Sequence, residues 1–235
     1  MSVAFTLNGK AVESQPDETL LQTARRHGIE VPHLCYKDGM RPDGNCRACM
    51  VEIKGERVLA PSCCRYPKDG MEVITNNPRA VASQKMVLEL LLSDMPEEHY
   101  TRNSELDQWA VKLDVGKPRF AARHQPPQDL SHPAIAVHLD ACIQCGRCVR
   151  ACRETQVNDV IGYAFRAAES KIVFDLDDPM GASTCVACGE CAQACPTGAL
   201  MPARDVGLAV PDKTVPSVCP YCGVGCCAQS HEVLF

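Results

Sequence analysis

The sequence predicts an α+β fold in which several small units are each built around cysteine thiolates. Three observations predict it. Cysteine occurs 17 times in 235 residues, while Phe, Trp and Tyr together make up 5%. The cysteines gather in three stretches, 35–64, 142–195 and 219–227. Around them the chain reads as short strands punctuated by Asn, Gly and Pro, with a few capped helices.

Composition removes several classes of function. A net charge of −5 without a basic cluster argues against a nucleic-acid surface. No run approaches the ~18 apolar residues of a membrane span, and residues 1–15 read as strand, turn and strand rather than as a secretory signal. These features predict a cytoplasmic protein with no membrane span and no nucleic-acid partner. A disulfide framework is a poor account of so many cysteines in that compartment. Structural zinc and iron–sulfur chemistry are left, and spacing separates them.

The first unit, residues 1–78, opens with strands Ala4–Leu7 and Lys10–Glu13 about Asn8-Gly9, a dipeptide suited to a turn with two positive φ angles. Asp17 is placed to cap a helix over Thr19–His27 with Leu20, Leu21 and Ala24 as its apolar face, and Gly28 stands where a left-handed residue ends a helix. A loop from Val31 to Asn45 follows. Then come strands Met50–Ile53 and Arg57–Ala60 about the turn Lys54-Gly55-Glu56, and a last strand over Met71–Thr75. A helix beginning at Asn77-Pro78 and running to Leu92 leads into the second unit, residues 79–137. Its stretch Met86–Leu92 is apolar nearly all round, which predicts burial between units. The rest of that unit is a polar, Pro-containing linker with one short helix over Ser104–Leu113. Residues 138–204 form a second Cys-rich unit, and residues 205–235 begin a third motif.

Cys35, Cys46, Cys49 and Cys63 are spaced C-x10-C-x2-C-x13-C. Cys46 and Cys49 stand just before a strand and Cys35 lies across the same loop, so four thiolates can converge. A zinc ribbon usually offers two short C-x2-C knuckles, and here there is one. The stretch Gly44-Asn45-Cys46-Arg47-Ala48-Cys49-Met50-Val51-Glu52 resembles the cluster loop of [2Fe–2S] ferredoxin domains, where small residues let backbone N–H groups approach the sulfides. Cys64, beside a ligand on extended chain, is expected to point the other way and to act as a small buried hydrophobe.

The strongest signal is a repeated run. Cys142, Cys145, Cys148 and Cys152 are spaced C-x2-C-x2-C-x3-C, and Cys185, Cys188, Cys191 and Cys195, followed by Pro196, repeat the pattern. This is the run of bacterial two-cluster ferredoxins, in which the fourth Cys of each run ligates the other cluster. Cys142, Cys145, Cys148 and Cys195 are therefore expected to hold one [4Fe–4S], and Cys185, Cys188, Cys191 and Cys152 the other. Arg147, Arg150 and Arg153 read as a solvated helix face, with an effect on cluster potential as the alternative. Cys219, Cys222 and Cys226, spaced C-x2-C-x3-C, offer three thiolates of a further [4Fe–4S] that is incomplete here. Cys227 is a poor fourth ligand, because adjacent Cβ vectors diverge. His99 reads as a surface residue and Trp109 as a packing anchor. Neither a Gly-x-Gly-x-x-Gly nor a phosphate-loop fingerprint occurs.

In this order the motifs resemble the N-terminal iron–sulfur region of NAD-linked, molybdenum- or tungsten-dependent formate dehydrogenase α subunits, of the molybdopterin oxidoreductase family. The phrases that carry the resemblance are Asp178–Cys191 and Val218–Cys226. It implies a β-grasp [2Fe–2S] ferredoxin-like domain, a linker, a bacterial-type 2[4Fe–4S] ferredoxin domain and the start of a molybdopterin oxidoreductase [4Fe–4S] domain. It also implies a Mo/W-bis-pterin centre beyond this span, so no catalytic residue is expected within it. Electrons from formate would pass the clusters toward flavin/NAD diaphorase subunits. Many relatives carry a His-plus-three-Cys cluster in the second unit. Here His99 is followed by Asn103, Leu106 and Lys112 at the Cys places, so that cluster is expected to be missing and Trp109 to fill in. Two other readings stand: an iron–sulfur subunit of an NADH dehydrogenase or NAD-linked hydrogenase, and a zinc-binding scaffold without a redox role.

Overall fold

The computed structural model describes residues 2–97, 100–101, 104–207, 213–219 and 227–232. β1 (Val3–Leu7) and β2 (Lys10–Ser14) form the expected hairpin, with Asn8 at φ 50° and Gly9 at φ 79° turning the chain. α1 (Leu20–Arg26) buries Leu20, Leu21, Thr23 and Ala24. Its cap is Thr19 rather than Asp17. The Thr19 hydroxyl accepts from the Gln22 N–H and the Gln22 side chain accepts from the Thr19 N–H, a reciprocal pair that satisfies two orphan donors. Asp17 sits in a left-handed turn at φ 61°, two residues too early.

β3 (Met50–Ile53), β4 (Ala60–Pro61) and β5 (Glu72–Ile74) complete a five-stranded sheet in the order β2-β1-β5-β3-β4, with β1 and β5 parallel. This is a β-grasp, and Phe5, Leu7, Leu20, Leu21, Val51, Ile53 and Val73 form its core. β4 is shorter than the sequence suggests. The Arg57 carbonyl accepts from the Arg79 guanidinium at 2.5 Å and Val58 is exposed, so the chain before Ala60 stands off the sheet.

α2 (Pro78–Ser93) is capped by Asn77, whose side chain accepts from the Ala80 N–H at 2.9 Å. Its apolar run is not buried all round: Leu88 is sealed, but Met86 and Leu90 are 41% and 46% exposed. Ala80, Gln84 and Leu88, spaced by four, make the inner stripe. Gln84 donates to the Met50 carbonyl at 2.8 Å, which ties the helix to β3. α3 (Glu105–Lys112), capped by Ser104, packs on α2. Leu106 joins Leu34, Ala48 and Leu88 in a small core, with Cys46, Trp109 and Ile143 at its rim.

The next region is two short β pairs around two short helices. β6 (Ile135–Val137) pairs antiparallel with β9 (Leu200–Pro202), and β7 (Ile161–Ala164) with β8 (Lys171–Phe174). α4 (Arg147–Arg150) runs into a wide π turn, Ala151–Thr155. α5 (Glu190–Ala194) packs against α4. Ile135, Val137, Val149, Ile161, Ile172, Phe174, Met180 and Leu200 fill the interior together with cysteines. β10 (Lys213–Val218) and β11 (Cys227–Glu232) form a last hairpin. No described helix is long and apolar enough to cross a membrane.

Candidate metal centres

The first constellation closes as the spacing predicts. Cys35, Cys49 and Cys63 are each no more than 1% exposed, and Cys46 is half-buried beside them. The thiols act on one another, Cys35 on Cys46 and Cys63, and Cys63 on Cys49. Cys46 and Cys63 hold the Cys35 thiol well below the usual thiol range, while Cys46 and Cys63 are pushed up by the thiolate they serve. Such a proton-sharing cage is the donor set that a cationic iron–sulfide core takes in place of protons. Backbone N–H groups of Cys35 and Ala48 point at Cys46 Sγ, at 3.3 and 3.5 Å, and favour its charged form.

Cys64 departs from the sequence reading. Its Sγ lies 3.5 Å from that of Cys63 and presses on Gly44. The chain here is a turn, closed by the Cys64 N–H on the Pro61 carbonyl at 3.1 Å, so neighbouring side chains do not alternate as on a strand.

The two later runs share one backbone shape. Gln144 and Gly146 take φ of 52° and 72°, and Ala187 and Gly189, at the same places in the second run, take 57° and 80°. Interleaved left-handed residues curl successive N–H groups toward an anionic core. The structure also brings the runs together in the crossed sense. One small pocket is lined by Cys142, Cys145 and Cys148 of the first run and Cys195 of the second. Cys191 is pushed up to about 12 by burial and then by the charges of Cys185, Cys188 and Cys152. Burial likewise raises Cys142 to about 11 and Cys145 to about 12, which disfavours their thiolate forms. Cys152, Cys185 and Cys195 each accept one backbone N–H, from Val160, Ala187 and Leu200, at 3.3 to 3.5 Å.

These donor sets fit iron–sulfur cores, with backbone N–H groups aimed at Cys46, Cys152, Cys185 and Cys195. Cys219 follows β10, half-buried, and the backbone of Val218 pairs with Cys227. Cys222, Cys226, His99 and Asn103 lie outside the described residues. Leu106 is fully buried, and Lys112 reaches Glu30 at 2.7 Å and sits 4.8 Å over the Trp109 ring.

The sites are not separate. Cys145 belongs to the same packed core as Cys35, Cys49 and Cys63. Asn45 Nδ2 donates to the Gln144 carbonyl at 3.3 Å, and a Cβ placed on Gly146 would meet Asn45 at 3.4 Å. Two arginines read from sequence as solvated are part of this seam. Arg147 and Arg150 are 3% and 4% exposed. Arg147 pairs with Glu105 at 2.6 Å and donates to the Tyr36 carbonyl at 2.6 Å. Arg150 donates to the carbonyls of Cys35, Arg41 and Cys145. Arg153 does lie in solvent, 2.7 Å from Asp159. The one sequence signal for the buried pair was their place on a single turn between Cys145, Cys148 and Cys152, where every face borders a ligand.

A [2Fe–2S] ferredoxin-like domain followed by a [4Fe–4S] dicluster domain makes this chain an iron–sulfur electron-transfer segment. Residues 1–78 match the 2Fe-2S iron-sulfur cluster binding domain and residues 141–199 the 4Fe-4S dicluster domain. Among whole proteins, the chain is 32% identical, over 95% of its length, to an NADH-quinone oxidoreductase subunit of Rhizobium meliloti. It is 28% identical, over 94% of its length, to a Staphylococcus haemolyticus protein whose name assigns it provisionally to formate dehydrogenase. It spans 27% of each of these two relatives. A chain of an NAD+-reducing [NiFe]-hydrogenase superposes with a TM-score of 0.80 at 25% identity, over 88% of this chain and 90% of that one.

Proposed function

We propose that this span relays single electrons from formate oxidation at a Mo/W-pterin centre outside it toward a flavin partner that reduces NAD. The carrying observation is the interlock of the cluster loops, in which Cys145 packs in one core with Cys35, Cys49 and Cys63. Cys35, Cys46, Cys49 and Cys63 would hold a [2Fe–2S]. Cys142, Cys145, Cys148 and Cys195 would hold the adjoining [4Fe–4S], and Cys185, Cys188, Cys191 and Cys152 the second. Cys219, Cys222 and Cys226 would give three ligands of a fourth cluster next to the pterin domain. When bound, these clusters supply one-electron chemistry. The chain's own residues hold them, exclude water from the first site and bring its loop against the second. The cytoplasm is the compartment this chemistry fits.

The formate assignment rests on the Cys219 motif and on the resemblance to the dehydrogenase of the Staphylococcus protein's name. A second reading, an iron–sulfur subunit of an NADH dehydrogenase or NAD-linked hydrogenase, is favoured by the Rhizobium relative and the hydrogenase fold match. Two measurements separate the readings. The anaerobically purified chain is expected to be brown, with about ten irons and matching sulfide if three clusters load; a colourless zinc-loaded chain refutes the relay. In the native complex, formate is expected to reduce the clusters, and reduction by hydrogen or NADH alone would select the second reading.

A further inference from the structure

Arg150 is a buried cation without a buried anion. Its side chain donates only to carbonyls: Nη2 to Cys35 O and, at 3.4 Å, to Cys145 O; Nη1 to Arg41 O at 2.6 Å; Nε to Gly146 O at 3.3 Å. Among the described residues no carboxylate forms an ion pair with it. Glu105 is engaged by Arg147 and Glu154 by Arg41, and Asp43, whose Oδ2 lies 3.5 Å from a Cβ placed on Gly146, is exposed and forms no ion pair with Arg150. An uncompensated buried charge is strongly unfavourable, so a guanidinium 4% exposed needs negative charge nearby. The buried part of the seam offers it as cluster thiolates, since a core ligated by four thiolates is a net anion.

We propose that Arg150 is a positioning residue that serves as the shared counter-ion of the [2Fe–2S] and of the adjoining [4Fe–4S], raising both potentials and fixing one ligand loop against the other. This rests on the iron–sulfur reading above. Arg150 reaches the carbonyl of a ligand from each set, Cys35 and Cys145. The charge of Arg147 is already offset by Glu105, and that of Arg153 by Asp159. Neighbouring positive charge favours the reduced, more negative cluster, and its loss therefore lowers the potential.

The test is an EPR-monitored redox titration of the anaerobically purified full chain, as wild type, Arg150→Gln, Arg150→Lys and Arg153→Gln, with iron and sulfide measured in each. In Arg150→Gln at full loading, the [2Fe–2S] and the Cys142 cluster are each expected to be about tenfold less reduced at a fixed poise, about 59 mV for a one-electron couple. Arg150→Lys and Arg153→Gln are expected to keep wild-type potentials. Unchanged potentials in loaded Arg150→Gln overturn the proposal. So does a shift in Arg150→Lys as large as in Arg150→Gln, which would make the fork geometry rather than the charge responsible. Should Arg150→Gln lose iron, the neutral Arg150→Met takes its place: potentials lowered to the same extent support the shared counter-ion and wild-type ones refute it. A wild-type chain without iron and sulfide would instead strike the relay reading itself.

Discussion

Removing Cys195 is expected to empty the cluster of the other run. Cys195 lines one cavity with Cys142, Cys145 and Cys148, and Cys152 is gathered with Cys185, Cys188 and Cys191. A cubane bound by three of its four thiolates is the one that should fail to load, so the magnitude is a count of iron. Full loading gives about ten irons, and Cys195→Ala should leave about six. Pairs of substitutions make the grouping explicit. Cys142→Ala with Cys195→Ala falls in one crossed set and should again leave about six, whereas Cys142→Ala with Cys152→Ala touches both and should leave about two. If ligands grouped by run, the second pair would spare one cubane and leave about six. The assay is iron and acid-labile sulfide on anaerobically purified variants, with Mössbauer or EPR spectra to identify the surviving clusters. About six irons in the Cys142/Cys152 double variant would refute the crossed assignment.

Three further outcomes follow from local geometry. Gly181→Ala places a Cβ 2.4 Å from the Ser131 carbonyl oxygen and 2.6 Å from its carbon; backbone cannot rotate aside, so a loss of about 1–3 kcal/mol is expected, read as a lower Tm. Gly44→Ala combines a left-handed backbone, φ 67°, with a Cβ 2.7 Å from Cys64 Sγ; it should destabilise the first site by about 1–2 kcal/mol or more, and Cys64→Ala should relieve only the steric part while itself leaving the [2Fe–2S] iron in place. Glu18 is held at about 2 instead of 4.5, chiefly by its hydrogen bond to Arg26. Its folded pKa is depressed, so its contribution is complete above 4.5 and lost as pH falls toward 2. Glu18→Gln should flatten that part of the Tm–pH curve, and an unchanged curve would show that another carboxylate governs it.

The cysteine loops were legible in the sequence because their shape is local: three Cys at intervals of three already fix a backbone curl, and Gly146 and Gly189 mark its left-handed corner. The hairpin at Asn8-Gly9 and the Pro78 helix start were legible for the same reason. What escaped depends on how distant segments meet. Thr19 displaced Asp17 as the cap because Gln22 could answer it, a contest between neighbouring signals that pattern alone does not decide. The outer face of α2 stayed in solvent because α3 and β3 cover only the Ala80–Leu88 stripe. The seam was illegible for a stronger reason: Arg150 and Cys35 are 115 positions apart, and nothing near either residue announces the other.

That long-range contact bears on how the relay is arranged. Three of the four cysteines of the first site are sealed, and the first [4Fe–4S] loop lies against the β-grasp loop that carries them. The set containing Cys188 differs: that thiol is exposed, and Val186 and Leu176 beside the same loops stand 57% and 94% exposed. Electron transfer weakens with distance through protein, so a sealed site exchanges best with the cluster packed against it, and an exposed ligand marks where a further redox centre can approach. On the relay proposed above, this asymmetry of burial would put the set containing Cys188 at the open end. If a cross-linker at an introduced cysteine near Val186 captured no neighbouring domain in the native complex, while one near Tyr66 did, that order would have to be reversed.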